Sequence, residues 1–168
     1  SGSDPREPRG SSGLNVAPPT LTELNWLEPK WLRMLLLLLL LLDAADDCAA
    51  CICQESGKPL TLAVGEVHRG LSNIQEAIAF ASALPASMLS MTHVEAGKHK
   101  KAFSERFAKG VVVGVAPFNF PLNLVLHKFL PALLGKNAFI LKPSPRTPLT
   151  ALFLAKLVDK TSLHKGFF

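Results

Sequence analysis

The hydrophobic pattern changes character along the chain. From Trp31 to Gln54 Leu and Ala dominate, and neither Pro nor Gly interrupts, so a helix is expected that stops near Gly57 and Pro59. From Leu60 to Leu84 apolar residues return every three or four positions, at Ala63, Val67, Leu71, Ile74, Ile78 and Ala81. That spacing is one face of a second helix, ending before Pro85. Gly65 and Gly70 weaken it and are expected on its other faces. Residues 86–109 have no such rhythm and read as a solvated connector or an edge strand.

The last third is punctuated more sharply. Val111 to Ala116 is a β-branched run between Gly110 and Pro117, which predicts a buried strand. Pro121 suits a first helical position. Leu122 to Leu134 is apolar nearly all round, so that helix should be well buried. Pro131 should kink it, because the carbonyl of His127 loses its partner, and Gly135 should cap it. Ala138 to Leu141 reads as a second strand, broken by Pro143, Pro145 and Pro148. Thr147 should cap a final helix that Pro148 begins, with Leu149, Leu152, Phe153 and Leu157 turned inward.

Strand, helix, strand, helix in some fifty residues predicts an α/β fold: a βαβα unit with parallel strands, preceded by a helical segment. The organisation expected is a linker-like, disordered stretch over 1–24, a helical part with connector over 25–110, and the βαβα unit over 111–168. Such a unit is the start of a Rossmann-like doubly wound sheet, and ligands bind such sheets at the carboxyl ends of the strands. Asn119, bracketed by Phe118 and Phe120, lies past the end of the first strand. Lys142 and Ser144 lie past the end of the second. An amide in so apolar a bracket is either bonded to its own loop, as Asn often is in turns, or held for a group that arrives later.

Composition narrows the function classes. Apolar residues make up 48% of the 168, which excludes a chain disordered throughout. A net charge of +5 is modest. Lys98, Lys100, Lys101, Arg106 and Lys109 form a basic cluster, but no nucleic-acid-binding module surrounds it, so no nucleic-acid partner is expected. Cys48, Cys51 and Cys53 are an odd set, not a disulfide framework, and fit a reducing, cytoplasmic setting. Cys48 and Cys51 spell a CxxC, yet no further ligands are spaced for zinc, and all three read as small hydrophobes; no metal is expected. The apolar run ending in Leu35 to Leu42 is too short to span a bilayer as a helix. It resembles the core of a signal peptide, but Asp43, Asp46 and Asp47 follow where a small neutral cleavage site belongs, so a Leu-rich helix and no membrane are expected.

PFNFP and KPS, joined by the intervening helix in GVVVGVAPFNFPLNLVLHKFLPALLGKNAFILKPSPRTPLTALFLAKL, resemble the aldehyde dehydrogenase superfamily. Upstream, QESGKPLTLAVGEVHRGL resembles that family's Glu-Ser-Gly-Lys-Pro turn and the helix after it. The likeness spans about Trp31 to Lys160.

The resemblance implies specific roles. In the family a cysteine thiolate attacks the aldehyde, and the Asn of this motif donates its amide N–H to the resulting oxyanion; Asn119 matches it. Ala116, Pro117 and Phe118 match a segment lining the nicotinamide end of the cofactor pocket. Lys142, Pro143, Ser144 and Pro145 match the segment that meets the adenosine ribose. Lys142 is then a donor to ribose hydroxyls or a 2′-phosphate, or else a strand-end lysine in water. Many members carry Glu where this chain has Pro145; without that carboxylate, and with Arg146 next door, NADP should be accepted as well as NAD. Lys128 matches a lysine that some members use in charge relay, though on an apolar helix it either snorkels outward or has a lowered pKa.

The family's catalytic Cys, general-base Glu and oligomerisation arm would lie beyond Phe168. The 168 residues are therefore expected to be the N-terminal portion of a homo-oligomeric NAD(P)-dependent oxidoreductase acting on a small aldehyde, inactive by themselves. The alternative is a non-catalytic remnant serving as a binding or interaction module.

Overall fold

The computed structural model describes residues 30–83, 87–161, 163 and 168; the linker-like stretch expected over 1–24 lies outside them. In chain order the helices and strands are α1 (Lys30–Asp43), α2 (Ala45–Ser56), α3 (Leu60–Ala81), β1 (Ser87–Leu89), β2 (Ala102–Ser104), β3 (Val111–Val115), α4 (Asn123–Leu134), β4 (Ala138–Lys142) and α5 (Pro148–Asp159). β1 and β2 form a small antiparallel pair. β3 and β4 run parallel, with Val111 opposite Ala138 and Val115 opposite Lys142. The fold is thus α/β, a parallel βαβα unit preceded by helices and opening a Rossmann-like sheet.

The leucine run becomes a helix with two characters. Met34, Leu37 and Leu41 are buried, while Leu36, Leu39 and Leu42 are exposed. Three- and four-residue steps put the buried set on one stripe, so placement makes a uniformly apolar segment amphipathic. The single helix expected from Trp31 to Gln54 is broken at Ala44, whose φ of −100° and ψ of 22° leave the helical region. The second part ends where expected, at Gly57, whose φ of 68° lies in the left-handed region that glycine adopts without a Cβ clash.

α3 turns Ala63, Val67, Leu71 and Ile74 inward as their spacing predicts. Gly70 departs from the expectation: it is buried, and a Cβ there would lie 3.1 Å from Leu122 and Leu126 side-chain atoms. α3 and α4 approach closely because that carbon is missing.

α4 covers one face of the β3–β4 pair, where Val112, Gly114, Phe139 and Leu141 point. Phe129 of α4 meets Phe139 at 5.6 Å between ring centroids and Phe168 edge-on at 4.8 Å. The other face carries Val111, Val113, Val115 and Ile140, all more than half exposed. The buried strand expected at 111–116 is therefore buried on one side only, because helices pack on one side only.

Several local expectations give way to tertiary bonds. α4 begins at Asn123, two residues beyond Pro121, and holds Pro131 in its interior. Pro131 and His127 are both exposed, so the proline lies on the solvent side of the helix, where a freed carbonyl costs least. Gly135 has a φ of −73° and is no left-handed cap; Lys136 takes that conformation instead, with a φ of 62°. Asn137 closes the turn: its Oδ1 accepts from the Lys109 and Gly110 amides at 2.6 and 3.1 Å, and its Nδ2 donates to the Ala132 carbonyl. In α5 the inward residues are Thr150, Ala151, Leu154, Leu157 and Val158, whereas Leu149 and Leu152 are exposed. α5 packs against α2 and α1, which rotates its buried stripe away from the expected one.

Two glycines test this packing in opposite directions. A Cβ at Gly114 would fall well inside van der Waals contact of the buried Phe139 ring. Gly114→Ala should destabilise by about 1–3 kcal/mol through overpacking. Gly65 is a mid-helix position with open space around it. Gly65→Ala should stabilise by about 0.5–1 kcal/mol through helix propensity. Urea denaturation of the two variants checks both signs.

Candidate functional site

The carboxyl ends of β3 and β4 form one rim. The Ala116 amide donates to the Lys142 carbonyl at 3.0 Å, which ties the two strand ends together. The loop after β3 carries Pro117, Phe118 and Asn119, all exposed, while Ala116 is buried. Lys142, expected past the strand, is the exposed last residue of β4, and the loop after it carries an exposed Pro145, a half-buried Pro143 and a buried Ser144. The Arg146 guanidinium lies over the Phe118 ring, 4.1 Å from its centroid, so the two loops touch through a cation–π contact. The rim brings together the residues singled out by sequence, apart from Lys128. Lys128 sits on α4, half-buried, donating its ammonium back to the Leu124 carbonyl at 3.1 Å.

Asn119 does not bond its own loop: no hydrogen bond to another described residue engages its side-chain amide. Its backbone is what is held. The Lys58 ammonium donates to the Asn119 carbonyl at 3.0 Å. The aromatic bracket does not seal the amide off, since Phe118 is 45% exposed. Phe120 is the ring that turns inward, lying 4.4 Å from the Lys58 ammonium and 5.1 Å from the Arg69 guanidinium.

Lys58 belongs to a larger knot. It pairs with Glu66, whose side chain has no solvent exposure. One Glu66 oxygen accepts the Leu122 and Asn123 amides, at 3.0 and 3.2 Å. These are among the N–H groups that a helix start leaves without an intrahelical partner. A carboxylate thus caps α4 from another helix, and an ammonium neutralises it. Removing one partner of such a buried pair typically costs about 3–5 kcal/mol, because the other charge is stranded.

α5 is capped in the same way. Glu55 accepts the Leu149 and Thr150 amides at 2.6 and 2.9 Å, and also the Thr150 hydroxyl. The cap expected from Thr147 is absent: its Oγ1 is buried without a partner. Sequence reasoning missed Glu55, Lys58 and Glu66 as site residues, although all three lie in the quoted QESGKPLTLAVGEV. The signal was there for Glu66, which falls between Ala63 and Gly70 on the buried stripe, where a carboxylate must be paired.

These caps constrain any nucleotide. A helix start after a strand is ordinarily an anion seat, but here both starts are filled by carboxylates, and a phosphate placed there would meet like charge. What suits a dinucleotide is the exposed pair of cations at the rim, Lys142 and Arg146. Ser144 is less available, since its Oγ accepts the Arg146 amide at 3.2 Å.

The three cysteines sit on α2 as free thiols. Burial pushes the Cys48 thiol up to about 12, with Cys51 and the Glu66 and Glu55 carboxylates adding to it. Burial also raises Cys51. A raised thiol carries little thiolate at neutral pH, so neither is a good nucleophile. Among the described residues no group of His, Cys, Asp and Glu could hold a metal ion, and no helix is long and apolar enough to cross a membrane.

A model of the aldehyde dehydrogenase family matches residues 31–168. Malonate-semialdehyde dehydrogenase of Bacillus velezensis is 40% identical over 123 residues, covering 73% of this chain and 24% of that protein. Among solved structures, aldehyde dehydrogenase 21 of Physcomitrella patens, in complex with its reaction product succinate, superimposes with a TM-score of 0.79 at 32% identity, covering 83% of this chain and 29% of that one. A dehydrogenase of Sinorhizobium meliloti 1021 complexed with NAD gives a TM-score of 0.74 at 29% identity, covering 82% and 27%. Other neighbours are complexed with NADP. The chain belongs to the aldehyde dehydrogenase family, whose members are NAD(P)-dependent oxidoreductases. It spans about a quarter of the length of the relatives it matches.

The raised Cys48 thiol yields a pH prediction. Its folded value lies above the ordinary 9.0, so the stability tied to it is complete below pH 9 and is lost as pH rises from there towards about 12. Denaturation between about pH 8 and pH 11 should show a steeper decline in the wild type than in Cys48→Ala. Parallel declines would contradict the assignment.

Proposed function

We propose that the polypeptide carrying these residues oxidises an aldehyde to a carboxylic acid, and that Asn119 is its oxyanion donor. The observation that carries this reading is the placement of Asn119: an exposed amide at the sheet's carboxyl edge, engaged by no described neighbour, on a backbone held from below. When a thiolate adds to the aldehyde carbon, the carbonyl oxygen gains the negative charge. A fixed amide N–H aimed at that oxygen stabilises the transition state more than the ground state, and losing such a donor typically costs about 3 kcal/mol. The thiolate is taken to come from outside these 168 residues, as the motif resemblance implies, and Cys48 and Cys51, both raised by burial, are poor candidates for it. On this reading the chain alone does not turn over aldehyde.

NAD or NADP accepts the hydride when bound. Lys142 and Arg146 are the residues here suited to its ribose or 2′-phosphate, with Ala116, Pro117 and Phe118 towards the nicotinamide and Pro143, Ser144 and Pro145 framing the second loop. Lys128, bonded to its own helix, contributes no relay in this reading. Relatives that act on malonate semialdehyde, or hold succinate, make a short aldehyde bearing a carboxylate the substrate to test first. The protein is taken to work in the cytoplasm as a homo-oligomer, without nucleic acid or membrane. A second reading, a non-catalytic interaction module, is favoured by one observation, the open apolar face of Val111, Val113, Val115 and Ile140.

Steady-state kinetics of the intact protein separate the two. Asn119→Ala should lower kcat by about a hundred- to a thousand-fold while cofactor affinity stays within about twofold. An intact protein with no aldehyde turnover would favour the interaction module. Equal turnover of variant and wild type would remove the role assigned to Asn119. Cofactor choice has its own test: Pro145→Glu should weaken NADP relative to NAD by about tenfold or more, through repulsion of the 2′-phosphate. An unchanged ratio would contradict it.

A further inference from the structure

We propose that Lys58 and Glu66 are positioning residues for Asn119, a role that rests on the oxyanion reading above. The carboxylate of Glu66 takes the Leu122 and Asn123 amides on one oxygen and the Lys58 ammonium on the other. The same ammonium donates to the Asn119 carbonyl and lies over the Phe120 ring. The backbone is therefore gripped at Asn119 and again at Leu122 by one ion pair. Both grips come from the α2–α3 region, more than fifty residues earlier in the chain. Only the side-chain torsions of Asn119 are left to settle.

Charge makes the grip stiff. Glu66 is wholly buried, and the Lys58 side chain is 13% exposed. If the loop swung away, two amide N–H groups and the Asn119 carbonyl would leave their partners, and the carboxylate would keep only the ammonium. A loop Asn without such support would sample several positions, and an error of about 1 Å in a reacting group can cost about a hundred-fold in rate. The knot also accounts for why Glu66 stands on an apolar stripe. An apolar residue there would pack, but it could not accept the two amides.

The test measures kcat, KM and cofactor affinity on the intact protein for Lys58→Met with Glu66→Gln combined, which removes both charges and strands neither. Lys58→Arg, Asn119→Ala and the triple variant complete the set. The charge-free double variant should bind cofactor within about twofold of wild type and lose kcat by about ten- to a hundred-fold. Lys58→Arg should recover most of that loss, which simple destabilisation would not predict. Adding the double change to Asn119→Ala should cost less than about threefold more, because the pair acts through an amide already gone. If the double variant does not fold, the charge-free pair Lys58→Gln with Glu66→Gln, which keeps hydrogen-bonding groups at both positions, carries the same comparison with the same expected non-additivity. A wild-type kcat in the charge-free variant beside a slow Asn119→Ala would overturn the positioning role and leave the oxyanion reading standing. A full multiplicative loss in the triple variant would overturn it as well. A wild-type kcat in Asn119→Ala would bring down the oxyanion reading, and this proposal with it.

Discussion

A single buried carboxylate organises this part of the molecule. Glu66 stands on α3 with no exposure to solvent, holds two amides at the start of α4, and is balanced by the Lys58 ammonium. A charge in that position is tolerable only while every partner is in place. The loop after β3, the start of α4 and the turn before α3 must therefore adopt one relative arrangement together. The rim that carries Asn119 inherits its shape from that requirement.

The pattern repeats one helix later, and the repetition is informative. Glu55 does for α5 what Glu66 does for α4. Both carboxylates come from the helices that precede the sheet, so the helical segment serves as more than a cover. It supplies the caps for both helices of the βαβα unit and fills the two places where a phosphate would ordinarily be drawn. The exposed cations at this edge are Lys142, at the end of β4, and Arg146, on the loop after it, while both helix starts are occupied by carboxylates.

Much of this was legible in the sequence, and the exceptions share a cause. The α3 stripe, the parallel strands and the rim loops follow from local spacing and punctuation, because side-chain period and proline placement act over a few residues. Local chemistry misled where a distant group had already done the work. Thr147 looked like a cap, but Glu55 reaches the α5 amides from 94 residues away. Gly135 does stand at the C-cap of α4, but the left-handed conformation expected of such a glycine falls to Lys136, and Asn137 bonds the turn from the side. The exposure of Val111, Val113 and Val115 could not be read from the strand itself, since a β-branched run is the same whether one face is covered or both. Within the candidate site the loop residues were found by motif, whereas Lys58 and Glu66 were passed over: the stripe marks Glu66 as a buried carboxylate, but the partners of both appear only once α3 meets α4.

On the proposed reading of Asn119 as an oxyanion donor, a donor that must be in place before charge develops needs a rigid seat, and a buried ion pair between distant segments is one way to make it. The most direct measurement of that claim is residue-resolved hydrogen exchange at the Leu122 and Asn123 amides. The account predicts that both exchange with the slowest amides of α4, such as Leu126, because they open only when the Glu66 knot does. Exchange at the rate of an exposed loop, with Leu126 still protected, would contradict it.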